Sequence, residues 1–450
     1  MPNIVTFLEC FAPYLSAATI RQMSQIMAAI ITMSGRVTMR GLSRWTDKGG
    51  SYRSIQRFFA RVIPWAQLFW AFFRVYLFNP DHDYLLAGDE SVVTKAGQKT
   101  HGLDRFFSSL YGKAIPGLAF FTLSLVSRQA RQSYPIRVEQ RVGSASEKAE
   151  AKAKSKPKTT KENSAKRPVG RPKGSLNKAK KPIQLTAELL FIQAMIQPVL
   201  QLIKGLLPLR YLLLDGHFGH NNALTMTRQA GLHLISKLRS DAALYFPDEA
   251  TYAGRGRPRQ YGQKVDMAHL PVHNLKHEQL EDAIQTRIYQ ATVLHKHFAQ
   301  ALNVVIILKT NLKTGQCSHA ILFSSDLDLA YDLLIDYYSL RFQIEFNFRD
   351  AKQYWGLEDF MNVSQTAVHN AANLSLFMVN LAAILLRDFR RLSPQAGVLD
   401  LKAHFLGCKY AHETLKLLPQ KPEPILIQRI FQSVTQLGSI HPTPTPFNSS

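Results

Sequence analysis

Cysteine is scarce in this chain, with three among 450 residues: Cys10, Cys317 and Cys408. None lies at zinc-ligand spacing from another. That excludes a disulfide framework and a cysteine zinc site, and it suits a reducing cytoplasm. Acid is scarce as well, with 32 Asp and Glu against 55 Lys and Arg, a formal net charge of +23. Such an imbalance predicts a polyanionic partner, nucleic acid first. Long apolar runs are also missing. The longest, Leu374 to Leu386, carries Asn380 and falls short of the about 20 residues a bilayer crossing needs. No basic stretch with a cleavage site stands near Glu9, so neither a membrane nor a secretion signal is expected. What is present is a chain of 46% apolar residues, enough to fold and long enough for two or three domains.

One pattern in the last third stands out. Tyr338, Arg341, Glu345 and Lys352 are spaced by three, four and seven residues, which returns to one face of a helix. That face normally carries Leu and Ile toward a core. Here it carries a phenol, a guanidinium, a carboxylate and an ammonium, which together suit a metal ion and a phosphate backbone. Taken alone, a solvated face with an i,i+4 Arg–Glu pair is the competing reading.

Residues 1 to 80 read as helical. Thr38 can cap a helix through Trp45, and Ser51 a second from Tyr52 to about Val62. Arg36, Arg40, Arg44, Arg53, Arg57 and Arg61 recur along this pair with almost no acid among them, which points to DNA contact rather than a merely basic surface. Strands follow: Tyr84 to Gly88 ending at Asp89, then Leu118 to Val126 and Tyr134 to Glu139. The segment 147–182 carries thirteen basic and three acidic residues and little that could bury a core, so a disordered basic insert is expected. Around Arg171, Gly170-Arg171-Pro172 resembles an AT-hook, a strip that lies in a narrow minor groove.

After the insert an apolar helix covers 184–203. A strand Tyr211 to Leu214 ends at Asp215, a helix covers Asn221 to Gln229, and another strand covers Leu232 to Leu238. Three strands, helix, strand, helix, strand, and a late helix with Glu345 is the order of an RNase H-like fold. Strands one and four then lie side by side, so Asp89 and Asp215 meet and Glu345 reaches in. Phosphoryl transfer uses two metal ions about 3.5–4 Å apart. Mg²⁺ or Mn²⁺ prefers oxygen ligands, so three carboxylates suffice. Arg341 and Lys352 would hold phosphates, the one as a fork and the other as a point charge.

Other acids fit less well. Asp326 and Asp328 look like caps, Asp350 points off the Glu345 face, and Asp83 and Glu90 flank the first aspartate as outer groups. His217 and His220 have no third ligand for zinc.

The stretch from 240 to 323 is too long for a loop, and its strand-like segments predict a β-rich insertion. Its Gly/Arg/Pro tip, with Arg257 and Arg259 between tyrosines, suits a nucleic-acid backbone and splayed bases. The predicted architecture is therefore α/β: an RNase H-like mixed sheet flanked by helices, an N-terminal helical domain, and a β-rich insertion before the glutamate. Boundaries fall at 1–80, 81–239, 240–323, 324–395 and 396–450, the last being helices with a disordered tail.

The spacing Tyr338-x2-Arg341-x3-Glu345-x6-Lys352 also resembles the Y-R-E-K signature of one group of bacterial insertion-sequence transposases of the DDE superfamily. Gly88-Asp89-Glu90-Ser91-Val92-Val93-Thr94-Lys95-Ala96-Gly97 and Leu214-Asp215-Gly216-His217-Phe218-Gly219 resemble that group's first and second aspartate motifs. The resemblance implies that Asp89, Asp215 and Glu345 are the catalytic, metal-binding triad and that Tyr338, Arg341 and Lys352 grip phosphates near the element's end. It implies cut-and-paste transposition of double-stranded DNA from inverted repeats into target DNA, through a hairpin aided by a flipped base. A homodimer working on the nucleoid of a bacterial cytoplasm is the form such an enzyme takes. Where these proteins often have Trp after the arginine, this chain has Phe342, and the basic insert lies outside the group's pattern. A non-transposing nuclease with the same core, or an inactive DNA-binding relic, are the alternatives.

Overall fold

The computed structural model describes residues 4–46, 50–108, 112–143, 183–248 and 259–441. The expected insert at 147–182 with Arg171, and Arg257 at the tip, lie outside them.

Hydroxyl caps start the N-terminal helices. After α1 (Ile4–Leu8), Ser16 accepts from the Thr19 N–H at the head of α2 (Ala17–Thr32). Thr38 accepts from Gly41 at α3 (Met39–Trp45), and Ser51 from Ser54 at α4 (Tyr52–Phe59). The last helix ends at Phe59, short of the predicted Val62. Pro64 biases its predecessor away from helix, and Asn370 takes the freed carbonyls of Phe59 and Arg61 with one amide, at 2.8 and 2.7 Å. The apolar α5 (Trp65–Phe72) then sinks into the core.

The sheet is built from β1 (Tyr84–Thr94), β2 (Asp104–Ser108), β3 (Lys113–Ser127), β4 (Gln132–Arg141), β5 (Tyr211–Leu213) and β6 (His233–Leu238). Helix α6 (Ala187–Ile203) precedes β5, and α7 (Asn221–Gln229) links β5 to β6. Strands run in the order β4–β3–β1–β5–β6, with β1, β5 and β6 parallel and β3 antiparallel to both neighbours. This is a mixed α/β, RNase H-like sheet. β1 is longer than predicted: it passes through Asp89 to Thr94, because β3 supplies a partner along its whole length. The polar Asp89-Glu90-Ser91 triplet reads as a break in sequence but is carried by that ladder.

The segment expected as an insertion comprises β7 (Leu244–Pro247), β8 (Tyr261–Lys264), β9 (Leu275–Glu281), β10 (Ile284–His295), β11 (Leu302–Asn311) and β12 (Cys317–Ser324). It prolongs the same sheet rather than forming a separate one, since β12 pairs with β6 and Ile321 stands opposite Leu238. Helices α8 (Tyr331–Leu340) and α9 (Gln343–Gln353) lead into α10 (Gln365–Phe389), followed by α11 (Val398–Lys416) and α12 (Pro424–Val434). By length and composition α10 could cross a membrane, yet 89% of its apolar window is buried in the protein. Asn370, Asn373 and Asn380 on it are buried too, and each donates to a backbone carbonyl of a neighbouring segment. Those polar anchors suit a core helix, since a buried amide needs partners.

Candidate active site

Three elements carry the three acids. Ala87 of β1 pairs with Leu213 of β5, and Leu85, Ala87, Leu213 and Ile235 belong to one buried cluster on one face of the sheet. Side chains alternate along a strand, so Asp89 on β1 and Asp215, still extended at φ −69° and ψ 176°, follow on that face. Glu345 comes from the first turn of α9 above it.

The single helical stripe predicted from Tyr338 to Lys352 is two helices. Between α8 and α9 the N–H groups of Arg341, Phe342, Ile344 and Glu345 bond carbonyls three residues back, at 3.1–3.2 Å. This tighter, 3₁₀-like winding joins the two helices while Tyr338 stays beside Arg341, whose guanidinium lies 5.9 Å from its ring, and Arg341 beside Glu345.

Arg341 is the hinge of the site. Its Nη1 donates to Asp89 Oδ2 at 3.0 Å and its Nη2 to Glu345 Oε1 at 3.3 Å, with the side chain only 15% exposed. Burial pushes the Asp89 carboxyl up to about 6; Arg341 and the Glu90 N–H oppose this, while the charges of Asp215 and Glu345 add to it. Asp89 thus lies within the field of both other carboxylates. Tyr338 is raised above the usual phenol range by burial and by the Asp215 charge, with Arg341 acting the other way. Phe342 is 49% exposed and packs edge-on against Phe346.

Lys352 is placed differently from a free phosphate ligand. Its Nζ donates to the Val92 carbonyl at 2.8 Å and lies 3.8 Å from Glu358, bracing α9 against β1, and burial lowers its basicity. Arg40, Arg44, Arg53 and Arg57 are exposed on α3 and α4, and among the described residues none forms an ion pair with an acid. Arg259 is exposed as well, remote in sequence from the acids.

The lesser acids have structural partners. Asp83 pairs with Arg128 at 3.7 Å, Asp350 with Arg349 at 2.8 Å, and buried Asp326 accepts from the Tyr211 hydroxyl at 2.6 Å. Asp328 donates its N–H to Asp326. His217 does have a carboxylate partner, Glu188 of α6, at 3.4 Å, and Arg141 bridges Glu188 and Glu90 at 2.9 and 3.2 Å. The hydrogen bond from His217 holds Glu188 below the usual carboxylate range. Neither Arg141 nor Glu188 was legible as a site residue, since both flank the basic insert and carry no motif.

An RNase H-like mixed sheet flanked by helices is the fold of a nucleic-acid-cleaving class. The chain belongs to a family described as DDE superfamily endonuclease, whose model matches residues 10–293. The match spans Asp89 and Asp215 and stops before Glu345, whose place rests on the geometry above. No curated protein sequence matches the chain significantly. As a member of this superfamily the chain is a nuclease acting on nucleic acid, in a group that uses divalent metal ions.

Proposed function

We propose that this endonuclease is a transposase of the Y-R-E-K group, which cuts double-stranded DNA at its element's inverted repeats and joins the ends to target DNA. The observation that carries this reading is the double ion pair of Arg341, which ties the β1 aspartate to the α9 glutamate with Asp215 in electrostatic reach.

The donor set suits Mg²⁺ or Mn²⁺, being three carboxylates without thiolate or imidazole. Among the described residues no three acids, histidines or cysteines stand together as a ready cluster. Arg341, itself a cation, supplies the positive charge between Asp89 and Glu345. Asp89, Asp215 and Glu345 would hold one or two ions, which when bound activate water or a 3′-hydroxyl and stabilise the leaving oxygen.

The remaining roles belong to this chain's own groups. Arg341, with its two Nη groups shared between Asp89 and Glu345, would present its guanidinium to a substrate phosphate, with Tyr338 beside it and Lys352 behind. Phe342 offers an exposed ring to an unpaired base, the feature a hairpin intermediate requires. The helices of 1–80, with Arg40, Arg44, Arg53 and Arg57, would grip the repeat, and Arg259, Arg171 and Arg257 would add backbone contacts. Two ends must be paired, so we take the active form as a dimer; α12 exposes Ile425 and Leu426 for such a contact. A bacterial cytoplasm, on the nucleoid, is where such a reaction takes place.

The test is excision from a plasmid carrying the gene's own flanks, with wild type, Asp89→Ala, Asp215→Ala and Glu345→Ala. Excision by wild type alone supports the triad. Excision by any single variant removes that residue from it. Equal cutting of DNA without the repeats would favour a general nuclease.

A further inference from the structure

The face that carries Asp89 and Asp215 continues onto β6, and there it presents a base. β5 and β6 pair in parallel with Leu213 opposite Ile235, and the Ser236 hydroxyl donates to the Asp215 carbonyl at 2.6 Å. Lys237 follows Ile235 by two, as Asp215 follows Leu213, so it lies on the face of the acids. Adjacent strands lie about 4.8 Å apart, which sets Lys237 one strand beyond Asp215 and two beyond Asp89.

Within β6, Leu234, Ile235, Ser236 and Leu238 are buried while Lys237 is exposed. Its backbone is pressed by the loop after Asp215: a Cβ on Gly219 would collide with the Lys237 carbonyl oxygen, so only glycine permits the approach. From this point a groove of about 500 Å³ opens between Gly216, Lys237, Arg239, Ser240 and His319. Arg239 sits at its rim, held by Asp241 at 3.0 and 3.2 Å. Lys237 forms no ion pair or hydrogen bond with its side chain among the described residues. Closer to the acids two signature cations already have partners: Arg341 holds two acids and Lys352 a carbonyl.

We propose that Lys237, with Arg239 behind it, is a phosphodiester-binding site on the Asp215 side of the acids, taking the DNA backbone next to the bond that is cut or joined. This rests on the reading of the three acids as a DNA-cleaving site. A point charge on a flexible stem suits a backbone phosphate, and the strand register puts Lys237 on the sheet face that Asp89 and Asp215 share. The element's own strand and the target strand share this backbone chemistry, and the two differ in the step at which they meet the groove.

The experiment uses full-length wild type, Lys237→Ala and Lys237→Arg. Equilibrium binding to an element-end duplex is measured across a salt series, and joining of a pre-cleaved end to a target plasmid is measured in parallel. Removing one phosphate-binding cation makes the salt dependence shallower by about one. The alanine variant should show that change, bind several-fold more weakly, and the arginine variant should restore both. Exposure of Lys237 predicts an unchanged melting temperature. An effect confined to end binding assigns the groove to the element's strand; an effect confined to joining assigns it to target DNA. Wild-type slope, affinity and joining rate in Lys237→Ala would overturn this site alone. A wild type that binds no DNA would overturn both the site and the reading beneath it.

Discussion

Arg341 and Asp89 are 252 residues apart in sequence and meet as an ion pair of 3.0 Å, with side chains 15% and 21% exposed. Even with that partner, Asp89 titrates at about 6, because burial and the neighbouring carboxylates outweigh one guanidinium. The sign follows from linkage. A carboxyl raised in the fold binds its proton there more tightly than in the unfolded chain, so stability falls as pH rises from its ordinary range to about 6. Asp89→Asn carries no such penalty. In EDTA, its stability relative to wild type should improve between pH about 4 and 6, by on the order of 2–3 kcal/mol, and stay level above. Urea denaturation at a series of pH values checks this; parallel profiles for the two proteins would show that Asp89 is not strained.

Glu345 is a different case, since its side chain is 42% exposed and held by Arg341 alone among the described residues. Glu345→Gln keeps the shape and removes the charge. We expect folding and repeat binding close to wild type, with cleavage reduced by at least about a thousandfold, the scale of losing a key electrostatic group. Gel-shift and nicking assays on one DNA separate the two effects. A Gln variant that still nicks would displace Glu345 from the chemistry.

Much of this arrangement was legible in the chain because it depends on local signals. Thr38 and Ser51 announced their helices, Asn221 to Gln229 was bounded correctly, and the strand–helix order placed β1 beside β5. Legibility failed where tertiary partners override local pattern. Asp89 lies mid-strand because β3 is long, and the residues from Tyr338 to Lys352 fall on two helices because the chain tightens at Arg341. The union of the β-rich segment with the core sheet depends on one ladder, β12 on β6, which no periodicity reveals. Lys237 had a faint signal, a lone charge in an apolar strand, and Glu188 had none.

The C-terminal end offers a test of stability alone. Asp400 of α11, with its side chain 2% exposed, accepts from the N–H groups of Gly397, Ile440 and His441 and pairs with the His441 ring at 3.0 Å. Burial by itself would raise this carboxyl, but those hydrogen bonds hold it well below the usual range. Its contribution is therefore present above the ordinary carboxylate pKa and lost as pH falls toward the folded-state value. Asp400→Asn should cost about 1–3 kcal/mol at pH 7, and the deficit should shrink below pH about 4. Thermal melts at both pH values decide it, and an equal deficit at each would mean that shape rather than charge anchors Ile440 and His441.

Lys352 tests whether a signature residue acts on DNA or on the fold. Its ammonium already serves the Val92 carbonyl at 2.8 Å, and burial lowers its basicity. Lys352→Met keeps the aliphatic stem and removes the donor. Without the brace between α9 and β1, stability should fall by about 1 kcal/mol. If the remaining N–H groups of the ammonium also hold a phosphate, the salt dependence of repeat binding should become shallower by about one. The two readouts are independent, because a brace changes melting and a phosphate contact changes the slope. A lower melting temperature with an unchanged slope would make Lys352 a support for the strand that carries Asp89, and would leave Arg341 as the signature cation that meets DNA.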